Sequence, residues 1–131
     1  MQVDLDPIAL RIERDYCAPD GSEIFELSKG THGSLCQCIL PEQATSQAVS
    51  HKTVEELWYF LSGEGEVWRD GLSHNVPVPV RAGFSLVIPP HTPFQFRNTG
   101  SGPLTFLITT MPPWPGPDEC HIENGYWQRK R

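Results

Sequence analysis

Apolar and polar positions alternate in short bursts along this chain, and turn residues close each burst. Ile24-Phe25-Glu26-Leu27 stops before Gly30 and Gly33, Leu35 to Leu40 ends at Pro41, and Leu57 to Leu61 ends at Ser62-Gly63. Glu66-Val67-Trp68 runs into Asp70-Gly71, a hairpin-type pair. Val76 to Val80 alternates Val and Pro, the mark of an edge or loop-like strand. Phe84 to Ile88 ends at Pro89-Pro90, and Leu104 to Thr110 ends at Pro112-Pro113. Phe94-Gln95-Phe96-Arg97 closes at Asn98-Thr99-Gly100, and its phase sends Gln95 and Arg97 outward or to a subunit interface. Many short strands at this spacing predict an all-β sandwich or barrel.

Two segments need a decision. Thr53-Val54-Glu55-Glu56 has the form of a capping box, and Val54, Leu57, Trp58 and Leu61 recur at helical spacing. The unbroken run Leu57-Trp58-Tyr59-Phe60-Leu61 instead suits a strand buried on both faces. The β pattern on either side decides for the strand. The tail from Met111 onward places four prolines within Met111 to Pro117, so it is expected to be extended. Trp114 and Trp127 give that tail large apolar anchors, which predicts packing across the domain or a partner subunit.

Composition narrows the function classes. The chain has 131 residues, one domain's worth, with 13 prolines and 11 glycines spread along it, leaving little room for long helices. The net charge of -6 argues against a nucleic-acid surface, and the basic run Arg129-Lys130-Arg131 reads as a solvated tail. No apolar stretch is long enough to span a membrane, and Met1 to Asp15 carries no signal-peptide core, so a cytoplasmic location is expected. Cys36 and Cys38 share one face of a strand and read as small half-buried residues rather than as a zinc clip. His32, His74 and His121 fall in turn or tail segments and read as surface residues.

The stretch His51 to Gly65 resembles the first motif of the cupin superfamily, G(X)5HXH(X)3,4E(X)6G. Gly83 through Asn98 resembles the second, G(X)5PXG(X)2H(X)3N. The spacings from His51 to Glu56, Glu56 to Gly63 and Gly83 to Pro89 hold, and the likeness covers roughly Leu35 to Thr110. With its Met111-Pro112-Pro113-Trp114-Pro115-Gly116 segment, the chain is similar to a group of small single-domain bacterial cupins of the cupin_2 type. The resemblance implies a small cupin barrel, a double-stranded β-helix or jelly roll. It divides the single domain 1–131 into N-terminal strands and arm (1–33), barrel core (34–110) and an extended proline-rich arm (111–131). It also implies a homodimer, since small cupins commonly pair through their sheets.

A typical cupin binds a divalent metal through two His and one Glu of the first motif and one His of the second. Here those positions carry Val49, His51, Glu56 and Phe94, and the second motif's Gly position carries His91. Three readings stay open. In the first, the protein binds a small molecule at a degenerate metal site, the ligand lying in an aromatic pocket of Trp58, Phe60, Trp68, Phe94 and Phe96 around His51 and Glu56. In the second, a metal-dependent isomerase, lyase or dioxygenase holds Mn, Fe, Ni or Zn through His51, Glu56 and His91. In the third, a metal-free isomerase or cyclase uses His51 and Glu56, paired with each other, as acid and base. Glu55 is expected on the solvent face.

Overall fold

Alternation along each strand sorts side chains to two faces, and burying one face of two sheets against each other builds the barrel. The computed structural model describes residues 3–71, 73 and 75–128, so His74 and the run Arg129 to Arg131 lie outside the described residues. In chain order the strands are β1 (Tyr16–Cys17), β2 (Glu23–Lys29), β3 (Ser34–Leu40), β4 (Val49–His51), β5 (Glu55–Ser62) and β6 (Glu64–Arg69). They continue as β7 (Val78–Arg81), β8 (Ser85–Ile88), β9 (Phe94–Asn98), β10 (Leu104–Met111) and β11 (Cys120–Ile122). Six form one sheet in the order β1-β2-β3-β10-β5-β8, and five form the other in the order β11-β4-β9-β6-β7. Every pairing is antiparallel. The result is the all-β barrel that the alternation predicts, in the double-stranded form that the resemblance implies. Among the described residues no helix is long and apolar enough to cross a membrane.

The inward positions form an aromatic core. Trp58, Phe60, Phe94, Phe96 and Phe106 are all fully buried. Trp58 and Phe106 lie 4.5 Å apart between ring centroids, and Phe60 and Phe106 lie 4.8 Å apart. Each such side chain contributes about 1.5–3 kcal/mol by leaving water. The chain passes from β5 in one sheet to β6 in the other at Gly63, whose φ of +87° suits glycine. A Cβ there would meet the Pro103 carbonyl oxygen at 2.5 Å, so no other residue fits without backbone movement.

Several expectations change. Thr53 to Ser62 is a strand from Glu55 onward, but only one of its faces is buried. Leu57 and Tyr59 are 48% and 49% exposed on the outer face of the six-stranded sheet. The N–H groups that a helix would have capped go elsewhere: the Glu119 carboxylate accepts from Thr53 N–H, Thr53 Oγ1 and Val54 N–H. β6 and β7 do form a hairpin, but residues 70–77 join them, a longer loop than Asp70-Gly71 suggests. Strands β4 and β11 fall outside the alternating bursts, and β1 lies within the N-terminal strands and arm expected over 1–33.

Gln95, expected outside, is buried and acts as a clamp. Its Nε2 donates to the carbonyls of Ser46 and Trp127, and its Oε1 accepts from Trp127 N–H at 2.9 Å. The alternation rule fails here because the proline-rich tail returns over the outside of β9 and covers that face. The tail therefore packs on its own chain. Arg97, next but one along β9, pairs with Glu66 and stacks over the Trp127 ring.

Candidate functional site

The inward positions of three neighbouring strands end in polar side chains towards one end of the barrel. On β5 they run Phe60, Trp58, Glu56; on β10, Phe106, Ile108, Thr110; on β3, Leu40, Cys38, Cys36. Register sets Glu56 and Ser34 on either side of Thr110, with Cys36 one inward position deeper, opposite Ile108. At this end lies a cavity of about 80 Å³, walled by Glu56, Thr110, Cys36, Trp58, Phe94 and His51 among others. The volume is enough for several waters or one small functional group. Tyr16, Asp20 and Ser22 close one side, and Trp114 of the tail closes another.

His51, on β4, is 4% exposed. Its ring stands edge-on to Phe94 at 5.2 Å and to Trp114 at 5.5 Å. Nδ1 is buried without a hydrogen-bond partner, and no described hydrogen bond involves the imidazole. Burial lowers the His51 pKa to about 4, opposed by the charge of Glu119, so the ring is neutral at pH 7. Glu56, 5% exposed, accepts from Trp58 Nε1–H at 3.0 Å and from Thr110 Oγ1 at 3.0 Å. Burial pushes its pKa up to about 7; the two hydrogen bonds hold it down, and the charges of Asp20 and Glu119 add to the rise. Burial likewise raises the thiols of Cys36 and Cys120 to about 12, so both stay protonated. All four cysteines are free.

The structure places the sequence-derived candidates unequally. His51, Glu56, Trp58, Phe94 and Phe96 line the cavity. Phe60 does not; it lies deeper, stacked on Phe106 and edge-on to Trp58. Trp68 is not on the wall either. Its indole donates to the Asn75 carbonyl and its ring faces Tyr126, because its place on β6 turns it toward the tail. His51 and Glu56 share the wall without bonding each other; the described hydrogen bonds of the carboxylate come from Trp58 and Thr110. His91 sits exposed at a φ of +62° in the turn before β9, with its N–H donated to the His51 carbonyl, and is not part of the wall. Glu55 is exposed as expected.

The set His51, Glu56 and His91 does not fit a metal ion. Among the described residues no group of three or more His, Cys, Asp or Glu side chains is arranged to hold one. The two ligand positions the resemblance leaves empty, Val49 and Phe94, are cross-strand partners in the β4–β9 pairing, both almost fully buried. An apolar pair thus stands where two imidazoles would converge, and two remaining donors are too few for a catalytic ion.

Sequence reasoning missed polar neighbours of the site, among them Tyr16, Asp20, Ser22 and Thr110. It also missed Trp114 as a wall. Thr110 carried the one usable signal, being in phase with the inward residues of its strand. Trp114 was legible as an anchor of the tail but not as a wall of this cavity, because the fold-back rests on distant contacts such as Trp114 N–H to Ser34 Oγ.

The cupin-domain family (Cupin_2) matches residues 36–110. A protein of Methanocaldococcus jannaschii, MJ1618, is 34% identical over 115 residues, covering 84% of this chain and 89% of its own length. Among solved structures, Pac13 of Streptomyces, described as a unique nucleoside dehydratase, superposes with a TM-score of 0.68 at 14% identity, over 90% of this chain and 92% of that one. A predicted oxalate decarboxylase from Thermotoga maritima gives 0.65 at 20% identity, over 79% and 98%.

Proposed function

The chain belongs to the cupin-domain family, and from that premise we propose that it binds a small molecule in the barrel without a metal, at the wall formed by His51 and Glu56. One observation carries this: a neutral imidazole, buried and without a hydrogen-bond partner, borders an aromatic cavity beside a buried carboxyl. Leaving such a group unsatisfied costs about 1–3 kcal/mol, a cost a ligand would relieve. The test is metal loading. Protein exposed to Mn, Fe, Ni and Zn and then desalted is expected to retain well under one ion per chain by elemental analysis. One tightly held ion per chain, lost in His51→Ala, overturns the reading.

A second reading has its own support. A carboxyl held near pH 7 beside a neutral imidazole is the pairing an acid–base isomerase or cyclase needs. The same scaffold carries a dehydratase in Pac13. Turnover of a cyclisable substrate that Glu56→Gln abolishes would favour this reading over binding alone.

We propose further that the protein forms a homodimer through the outer face of the six-stranded sheet, where Leu57, Tyr59, Leu61 and Val87 are exposed together. Light scattering is expected to give twice the chain mass, and Leu57→Glu to give the monomer with its strand content intact. A wild-type monomer refutes it.

A further inference from the structure

We propose that the cavity beside His51 and Glu56 recognises a compact organic cation, an ammonium or amidinium group, rather than an anion. The inference rests on the pocket reading above and names the chemistry of its ligand.

Three features of the wall converge on it. The first is an excess of acceptors. Asp20, Glu26 and Glu56 line the cavity with Lys29; Glu26 and Lys29 are both exposed, which leaves Asp20 and Glu56 as the more enclosed charged groups. Apart from the His51 ring, the wall's buried side-chain N–H and O–H donors are already committed: Trp58 and Thr110 donate to Glu56, and Ser22 donates to Asp20. An anion entering here would lose its water and meet carboxylates with no guanidinium to replace it.

The second feature is the imidazole. His51 is nine-tenths buried, with no described hydrogen bond on its ring. A neutral ring carries one N–H and one lone pair, and a donor-rich head group such as an amidinium satisfies the lone pair and Glu56 together.

The third feature is aromatic. Tyr16, Trp58, Phe94, Phe96 and Trp114 all contribute to the wall. Aromatic faces around a site of this size favour a positive charge, and more so once it is desolvated. A carboxylate floor under aromatic walls is complementary to an organic cation in both charge and shape.

Three planar probes of nearly identical shape separate the possibilities: acetamidinium, acetamide and acetate, all small enough for an 80 Å³ chamber. They are titrated into the full-length isotope-labelled protein at constant ionic strength. The Trp58 indole N–H signal reports on Glu56, to which it is bonded, and the His51 ring signals report on the other wall. Acetamidinium is expected to bind at least about tenfold more tightly than acetate, a difference of about 1.4 kcal/mol. Glu56→Gln, which keeps the shape and leaves the rest of the spectrum in place, is expected to bring acetamidinium to within about threefold of acetamide. If acetate binds as well as or better than acetamidinium while moving the His51 and Trp58 signals, the ligand class is wrong and the pocket reading stands. If none of the three moves either signal, both fall together.

Discussion

The two ends of this barrel's interior are made from the same strands and differ in everything else. At the closed end, Phe60, Phe106, Leu40 and Leu104 are excluded from water and belong to one apolar cluster. At the open end, one or two inward positions further along, the same strands present Glu56, Thr110 and Cys36 to a cavity. The step from Phe60 to Glu56 is four residues of one strand. The comparison teaches that fold and candidate site are separated by level rather than by element. Each strand contributes apolar contacts at one level and chemistry at the other, so substitutions at the two levels test different things.

The largest expected effect belongs to the closed end. Phe106→Ala removes a ring that stacks on Trp58, Phe60 and Phe96, and is expected to cost about 3–5 kcal/mol by urea denaturation. A cost under about 1 kcal/mol would show that the closed end is not the stabilising core, and the division by level would fail.

The next effect belongs to the open end and depends on pH. The folded state holds the Glu56 proton more tightly than the unfolded chain, because burial raises its pKa from 4.5 to about 7. The stability this gives is complete below pH 4.5 and is lost as pH rises through about 7. His51 works in the opposite sense. Burial lowers its pKa from 6.5 to about 4, so its contribution is complete above pH 6.5 and is lost as pH falls through about 4. Between pH 4.5 and 6.5 the two slopes oppose each other and the wild type is expected to be nearly flat. Glu56→Gln leaves the His51 slope, and stability should then drop as pH falls from 6.5. His51→Gln leaves the Glu56 slope, and stability should drop as pH rises from 4.5 to 7. Each change approaches about 3 kcal/mol across its full window. Parallel pH profiles for wild type and both variants would show that neither group is buried as described.

This division by level also explains what the sequence reveals. The long strands are legible because Glu55 to Ser62 and Leu104 to Met111 alternate cleanly, which a half-buried strand requires. His51 and Glu56 are legible through motif spacing. Strand β4 is only Val49–His51, too short for alternation to register, and β11 exists because β4 offers it an edge. The bonds that define the site span long distances in sequence. Thr110 meets Glu56 across 54 residues and Trp114 meets Ser34 across 80, and local patterning carries no information about either. The expected His51–Glu56 pair failed for the same reason: spacing put both residues in the barrel, but cross-strand register gave Glu56 to Thr110.

The smallest effect is the most specific to the open end. Thr110→Val keeps the shape of the side chain and removes only the hydroxyl that donates to Glu56 at 3.0 Å. At the closed level a deleted group leaves a hole; here it leaves one carboxylate oxygen facing a cavity that can hold water. The stability cost is therefore expected to be about 1 kcal/mol, the scale of a single hydrogen bond rather than of a core void. The hydrogen bond also favours the ionised carboxylate, so its loss should move the Glu56 titration further upward, readable from the carboxyl carbon signal by NMR. A large stability loss with no change in that titration would mean that Thr110 belongs to the core and that the cavity level begins elsewhere. A small loss with an upward shift fixes the boundary between core and site at the step from Ile108 to Thr110.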